Sequence, residues 1–196
     1  AVGPATGCVE QSFVTQPGIC SCVPPYTTGV GSSDYFSTFI LQGTTLNNNS
    51  GASTTAPSYN YYSGLPNLTA TLMQGASYTA QASVGFDNQG FSVWIDFDDN
   101  GTFSSSERVG FTTTNLTSVI NTFGITIPCN ANPGVHRMRV RMIYAAVGST
   151  MDPCASATFG ETEDYSITIN AVPAPTGVAS QTICNSGTIA DLVVTA

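Results

Sequence analysis

The stretch FSVWIDFDDNGTFSSSE, residues 91 to 107, decides the fold class predicted from the sequence. Its first seven residues alternate, with Phe91, Val93, Ile95 and Phe97 on one side of an extended chain. This period of two predicts a β-strand rather than a helix. The Asp, Asn, Gly and Ser residues that follow favour a turn. The stretch is therefore predicted to be a strand that ends in a polar loop, which argues against a helix-loop-helix sensor.

The same alternation recurs along the chain in short runs bounded by Gly, Pro, Asn and Ser, and no long segment has a helical period. The predicted strands are residues 35–41, 77–86, 91–97, 119–127, 136–144 and 164–170. The sequence DNQG at 87–90 predicts a hairpin turn between two of them. Residues 43–66 predict a long polar loop with room for one short strand. Because a parallel sheet would need crossover helices, we predict an all-β, antiparallel β-sandwich of the jelly-roll or Ig-like type, with long loops.

Composition also suggests the domain boundaries. Residues 22–170 are predicted to form the sandwich domain, after a cysteine-containing extension at residues 1–21. Residues 171–177, AVPAPTG, have the Pro and Gly content of a linker. Residues 178–196 are too few to close a core of their own. This C-terminal β segment is predicted to be a truncated second domain, a strand that docks on the first domain, or a strand donated to a neighbour.

Charge and cysteine content limit the partners and the compartment. Only 8% of residues are charged, no lysine is present, and the formal net charge is −8. Nucleic acid and anionic membrane surfaces would be repelled, so neither is predicted as a partner. No apolar run reaches the roughly 18 residues that would predict membrane insertion. An even number of cysteines, six, predicts disulfides in a secreted or cell-surface protein rather than a zinc site, with the pairing left open.

The loop matches the calcium-binding pattern D-x-[DN]-x-[DN]-G-x5-E at every defined position from residue 96 to residue 107. The predicted Ca²⁺ ligands are the side chains of Asp96, Asp98 and Asn100, the carbonyl of Thr102, an oxygen or water at Ser104, and the bidentate carboxylate of Glu107. Glu163 and Asp164 are further candidates to complete the shell. The alternative is a polar turn without an ion. The local concentration of negative charge favours calcium.

Basic residues are concentrated on one predicted strand, where Arg137, Arg139 and Arg141 share a face. Three arginines on one face could form a polyanion site or pair within the chain. The negative net charge favours pairing within the chain, and we predict Glu161 and Glu163 as the partners.

Aromatic residues provide candidate sites for stacking on a sugar. Trp94 lies opposite the Phe-Val-Ile-Phe face and is interpreted either as a sugar platform or, by preference, as a packed plug. Tyr59, Tyr61 and Tyr62 could bind carbohydrate by ring stacking or anchor their loop on the sheet, and anchoring is the favoured interpretation.

Three motifs make the sequence similar to a known family. VWIDFDDNGTFSSSERV, ANPGVHRMRVRM and FGETEDYSITI follow one another in the order and spacing of the bacterial GEVED domain, which is named for a Gly-Glu-Val-Glu-Asp signature. The resemblance covers about residues 20 to 170, with Thr162 where the family name has Val. It implies a β-sandwich with an accessory role in secreted and surface proteins of bacteria. The tail from residue 173 resembles the start of an Ig-like module from secreted proteins of gliding bacteria.

These features predict a non-catalytic, calcium-stabilised extracellular module with a structural or adhesive role in a cell-surface or filamentous assembly. Neighbouring subunits or modules, bound by strand addition, and surface glycans are the expected partners. The alternative is a carbohydrate-binding module of a secreted multi-domain protein. Enzyme activity is not predicted, because the single histidine, His136, lies on the apolar face of its strand.

Overall fold

The structure is a computed structural model that describes residues 21–51 and 53–173. The predicted segment 178–196, residues 1–20 of the predicted extension and residues 174–177 of the predicted linker lie outside the described residues. The strands are β1 Tyr26–Gly29, β2 Phe36–Leu41, β3 Asn47–Asn48, β4 Tyr59–Tyr62, β5 Thr71–Met73, β6 Ser77–Val84, β7 Gln89–Asp96, β8 Arg108–Phe111, β9 Asn121–Thr126, β10 Gly134–Tyr144 and β11 Ala157–Asn170. In this part of the chain, helix is confined to 3-10 turns at Val30–Ser32, Ser105–Glu107 and Gly148–Thr150.

The strands form two sheets, which confirms the predicted all-β sandwich. The larger sheet has seven strands, in the order β1, β11, β10, β7 and β8, with β4 and β5 also paired to β11. The smaller sheet has four strands, in the order β3, β2, β6 and β9. One hydrophobic cluster, with side chains from both sheets, fills the space between them.

Pairing is mainly antiparallel, but β11 has an additional arrangement that the sequence does not indicate. One edge of β11 pairs antiparallel with β10 from residue 160 to residue 169. The other edge pairs in parallel with β1, β4 and β5, one after another along its length. These short strands satisfy backbone groups that an uncovered edge would expose.

The predicted hairpin at residues 87–90 is wrong. Strand β6 pairs with β2 and β9, whereas β7 pairs with β10 and β8, so the turn connects the two sheets. Asn88 adopts a left-handed conformation with φ 72°, which asparagine tolerates better than most residues. The turn composition was interpreted correctly, but local sequence does not determine which strands a turn connects.

The three central strands of the larger sheet have two distinct faces. The inner face, toward the smaller sheet, carries the apolar side chains Phe91, Val93, Ile95, Met138, Val140, Met142, Tyr165, Ile167 and Ile169. The outer face carries Ser92, Trp94, Asp96, Arg137, Arg139, Arg141, Thr162 and Asp164. Most of the outer-face side chains are also buried, because other segments of the chain cover them.

A disulfide between Cys22 and Cys154 joins two of the segments that cover the outer face. This bond confirms disulfide rather than zinc chemistry for these two cysteines, and it points to an oxidising, extracellular environment. In residues 21–51 and 53–173, no helix is long and apolar enough to cross a membrane.

Candidate functional site

The candidate site is the acidic loop, residues 96–107, which connects β7 to the start of β8. Glu107 holds the two ends of this loop together. Its Oε1 accepts a hydrogen bond of 2.9 Å from the Phe97 N–H, and its Oε2 accepts bonds of 2.7 and 2.8 Å from the N–H and hydroxyl of Ser104. The Glu107 carboxylate is buried, so the hydrogen bonds that connect the two ends of the loop lie in its interior.

Asp96 organises the first half of the loop. Its Oδ1 accepts a hydrogen bond of 3.1 Å from the Asn100 N–H, and its Oδ2 accepts one of 2.9 Å from the Gly101 N–H. Gly101 has φ 81°, the left-handed conformation that glycine adopts without strain. The chain therefore wraps around the Asp96 carboxylate.

Three carboxylates converge in this loop. One oxygen each from Asp96, Asp98 and Glu107 lies within 4.8 Å of the others. Asp96 and Glu107 are buried, whereas Asp98 is exposed. The pKa of Asp96 is raised to about 6, mainly by burial; the nearby Glu107 charge contributes to the rise, and the hydrogen bonds from the Gly101 and Asn100 N–H groups oppose it. Oxygen donors of this kind are the ligands that Ca²⁺ prefers, so the three residues fit the predicted ion.

The other predicted ligands lie in the same loop but make contacts with one another. Asn100 Oδ1 accepts hydrogen bonds of 2.7 and 2.6 Å from the N–H and hydroxyl of Thr102. Its amide nitrogen donates to Asp98 Oδ2 at 2.8 Å. Asn100 would therefore have to turn its amide to act as a ligand. Ser104 lies beside the centre through its contact with Glu107.

The structure does not bring Glu163 and Asp164 to the acidic loop. Asp164 lies on the outer face, where its carboxylate binds Arg139. Glu163 lies on the inner face, where it accepts hydrogen bonds from Asn48 at 2.9 Å and from Tyr165 at 2.5 Å. Adjacent residues of a strand point to opposite faces, so these two carboxylates cannot complete one shell as predicted.

The predicted pairing of the arginines with Glu161 and Glu163 is also wrong. Across the antiparallel ladder, Arg139 lies opposite Asp164, while Glu163 lies opposite Val140. The register therefore places the arginines and the two glutamates on opposite faces of the sheet. Sequence alternation identified each face correctly but could not indicate which face of one strand adjoins which face of the next.

Arg139 is completely buried in the outer face. It donates to both Asp164 oxygens at 2.8 Å, to the Cys22 carbonyl at 2.7 Å and to the Pro153 carbonyl at 2.9 Å. Its guanidinium lies 4.5 Å from the Phe103 ring centre. One side chain thus links the larger sheet, the acidic loop and both segments joined by the disulfide.

Trp94 is 0% exposed, which rules out the sugar-stacking interpretation and confirms that it is a packed plug. It packs with Phe103 of the acidic loop and with Met151 in a small cluster on the outer face. The Arg108 guanidinium lies 5.3 Å from its ring centre.

The three tyrosines are anchored on the sheet through β4, as the favoured interpretation held. Tyr59 donates a hydrogen bond of 2.9 Å to Asp164, and burial raises its pKa to about 12. Tyr62 stacks on Tyr165 with ring centres 5.4 Å apart. Tyr61 is 45% exposed and lies under the Arg137 guanidinium, 4.3 Å from it.

His136 contacts the acidic loop, a role that the sequence interpretation missed. The ring is buried, with Nδ1 3.0 Å from the Asp96 carbonyl and 3.1 Å from Asp99 Oδ1, and Nε2 2.7 Å from the Asn132 carbonyl. Both ring nitrogens are thus occupied. The sequence carries no signal for this contact, because it depends on the pairing of β10 with β7.

Together, the two-sheet all-β fold and the disulfide fit an extracellular module. In comparison with known families, the model of the GEVED domain family matches residues 90–168, which confirms the resemblance found in the sequence. The matched part includes β7, the acidic loop, β10 and the signature on β11. No curated protein matches the chain. The resemblance of the tail to an Ig-like module stays a prediction.

Proposed function

We propose that this protein is a non-catalytic, calcium-stabilised extracellular structural module, and that the acidic loop holds one Ca²⁺ ion. The observation that carries the proposal is the convergence of Asp96, Asp98 and Glu107 at the end of β7, with oxygens within 4.8 Å of one another. Asn100, Thr102 and Ser104 would supply the remaining protein oxygens.

Electrostatics supports this assignment. Two unit charges 4 Å apart repel by about 4 kcal/mol at an effective dielectric constant of about 20. A bound Ca²⁺ would supply the positive charge that offsets this repulsion. His136, which contacts the loop, lies against the exposed Asp99 and the Asp96 backbone rather than the three converging carboxylates. Because the ion would bind the folded loop, calcium would stabilise the fold by mass action.

The position of the loop suggests what a bound ion would do. The loop connects β7 to β8, contacts β10 through His136, and contributes Phe103 to the cluster under Arg139. Extracellular calcium modules bind with Kd of roughly 10⁻⁴ to 10⁻³ M, which suits a permanent structural ion. An adhesive or structural role beside neighbouring subunits, reached by strand addition, accords with this stabilised sheet. We do not favour the carbohydrate-binding alternative. Of the four aromatic residues considered for stacking on a sugar, Tyr61 alone has an exposed ring.

A thermal melt followed by circular dichroism, in excess EDTA and then with excess Ca²⁺, tests the proposal. Calcium at about 100 times its Kd is expected to stabilise the fold by about 2.7 kcal/mol. Asp98→Asn is the informative variant, because Asp98 is the exposed member of the three carboxylates and its side chain accepts hydrogen bonds from Asn100. It should greatly reduce the calcium response without unfolding the protein.

Asp87→Asn is the matched control, because it removes the same charge from an exposed carboxylate outside the loop. It should keep the full calcium response. Mg²⁺ at equal ionic strength should give a smaller shift. A wild-type midpoint that is unchanged by calcium, in protein shown to be metal-free by elemental analysis, would refute the proposal.

A further inference from the structure

A second acidic site lies on the opposite face of β11 from Asp164. Glu161 is almost completely buried on the inner face, where its Oε2 accepts a hydrogen bond of 2.7 Å from the Phe36 N–H and its Oε1 accepts one of 3.2 Å from the Asn60 amide. Glu163, two residues further along the strand, is also completely buried on this face. Two buried carboxylates therefore lie on the inner face of β11, next to the paired strand β4.

Neither glutamate has a basic partner in the described part of the chain. The chain has no lysine, and its four arginines are all engaged elsewhere. Their contacts are Arg108 with the Ser149 and Met151 carbonyls, Arg137 and Arg139 with Asp164, and Arg141 with the Asp152 and Ala155 carbonyls. Buried carboxylates without a counter-charge are unfavourable. Consistently, burial raises the pKa of Glu161 to about 7 and that of Glu163 to about 8, with the Glu161 charge adding to the second shift.

A cavity of about 310 Å³ adjoins Glu161, and it offers space for a small ligand next to this buried carboxylate. Its wall residues combine aromatic rings, small polar groups and one carboxylate: Tyr35, Tyr62, Ser50, Ser53, Asn60 and Glu161. Its volume lies at the lower end of the range of small-molecule sites, roughly 300 to 1,000 Å³. We name it the glutamate cavity.

We propose that the glutamate cavity binds a primary alkylammonium group, with the ammonium on Glu161 and the alkyl chain against the tyrosine rings. An ammonium group has three donors and needs only a few acceptors, and aromatic rings attract cations at their faces. Ca²⁺ fits less well, because it needs six to eight oxygen ligands and only one carboxylate lines this cavity. The group comes from a lysine side chain of another protein or from a free amine. A second copy of this chain has no lysine to supply it.

The test is a titration with n-butylammonium chloride, followed by calorimetry and by backbone amide NMR, with 1-butanol as the neutral probe of similar shape. Saturating Ca²⁺ is present throughout, so the outcome does not depend on the proposal for the acidic loop. Butylammonium is expected to shift the amides of Tyr35 and Asn60 and to bind at least ten-fold more tightly than butanol. Equal affinity for the two probes, or no binding of either, overturns the proposal.

Two variants make the assignment specific. Glu161→Gln should weaken butylammonium binding at least ten-fold, while Asp87→Asn, which removes the same charge outside the cavity, should not change it. If Glu161→Gln does not fold, Ala56→Leu, which narrows the cavity without touching a carboxylate, should abolish binding. Retained binding in the folded cavity variant overturns the proposal.

Tighter binding of putrescine than of acetyl-lysine amide supports a free amine as the source, and the reverse order supports a lysine side chain.

Discussion

Replacement of Asp164 by asparagine should test the buried ion pair that organises the outer face of the larger sheet. Asp164 and Arg139 are both 0% exposed, and two hydrogen bonds of 2.8 Å join them. Asparagine keeps the shape of the side chain but removes its charge. The Arg139 guanidinium would then remain buried without the one carboxylate that pairs with it among the described residues, while Arg137, 3.8 Å from Asp164, would lose its carboxylate as well.

Removing one partner of a buried ion pair costs about 3 to 5 kcal/mol, because the remaining charge is left uncompensated. For a chain of this length, 1 kcal/mol corresponds to a change in Tm of about 2 to 4 °C. Asp164→Asn is therefore expected to lower Tm by about 6 to 20 °C. Urea denaturation followed by circular dichroism measures the free energy of unfolding, and a thermal melt in the same buffer measures Tm.

Glu163→Gln is the matched control, because it removes a carboxylate from the adjacent buried residue on the other face of the same strand. Burial raises the pKa of Glu163 to about 8, so at pH 6 the group already carries its proton in the folded state. Its replacement should not lower the free energy of unfolding, because the group that is removed is already neutral in the folded state and charged only in the unfolded chain. If Glu163→Gln is the strongly destabilising variant and Asp164→Asn is nearly neutral, the register and the pairing derived from it are refuted.

Three further predictions concern pH, the disulfide and the signature glycine. The two inward glutamates have folded-state pKa values of about 7 and 8 against an ordinary value of 4.5, so the folded protein keeps protons that the unfolded chain releases. The stabilisation by these two glutamates is complete below pH 4.5 and is lost as pH rises toward 8. Urea midpoints measured in EDTA should therefore fall over that range, and Glu163→Gln should make the fall smaller. A rise in the midpoint attributable to these groups would contradict the prediction. Replacing Cys22 and Cys154 by serine opens a loop of sequence separation 132 and should lower the free energy of unfolding by about 2 to 5 kcal/mol in urea denaturation, whereas equal stability would show that the bond does not constrain the chain. Gly160 has φ 137°, and Gly160→Ala would place a Cβ 2.3 Å from the Met142 carbonyl oxygen. The free energy of unfolding is expected to fall by about 1 to 3 kcal/mol. An unchanged urea midpoint would refute the close contact.

Much of the fold could be predicted from the sequence, because burial on one face imposes a period of two on a strand. The alternation in residues 91–97 and 136–144 identified β7 and β10 and assigned their faces correctly. The partners of each strand could not be predicted in this way. The turn at residues 87–90 has the composition of a hairpin but connects two sheets, and β1, β4 and β5 attach to β11 through contacts distant in sequence.

The acidic loop could be predicted residue by residue, because its six candidate ligands lie within twelve consecutive residues. The structure brings the carboxylates of Asp96, Asp98 and Glu107 together as the spacing indicated. The contact with His136 could not be predicted, since it depends on the pairing of β10 with β7. The same limitation applies to Glu163 and Asp164, whose partners depend on register.

The Gly-Glu-Thr-Glu-Asp signature on β11 acquires a physical explanation from the two faces of this strand. Gly160 allows the chain to pass against β10 where a side chain would collide. Glu161 and Glu163 then point inward. Glu161 lines the glutamate cavity, and Glu163 accepts a hydrogen bond from Asn48.

Thr162 and Asp164 point outward. Thr162 Oγ1 lies 2.7 Å from the Tyr26 hydroxyl, which accepts a hydrogen bond from Arg141. Asp164 neutralises Arg139 beneath the disulfide. Five consecutive residues thus serve two separate sites, one on each side of the sheet. For this reason a single acidic cluster in the sequence does not form a single acidic site in the fold, and the proposed calcium site involves the acidic loop alone.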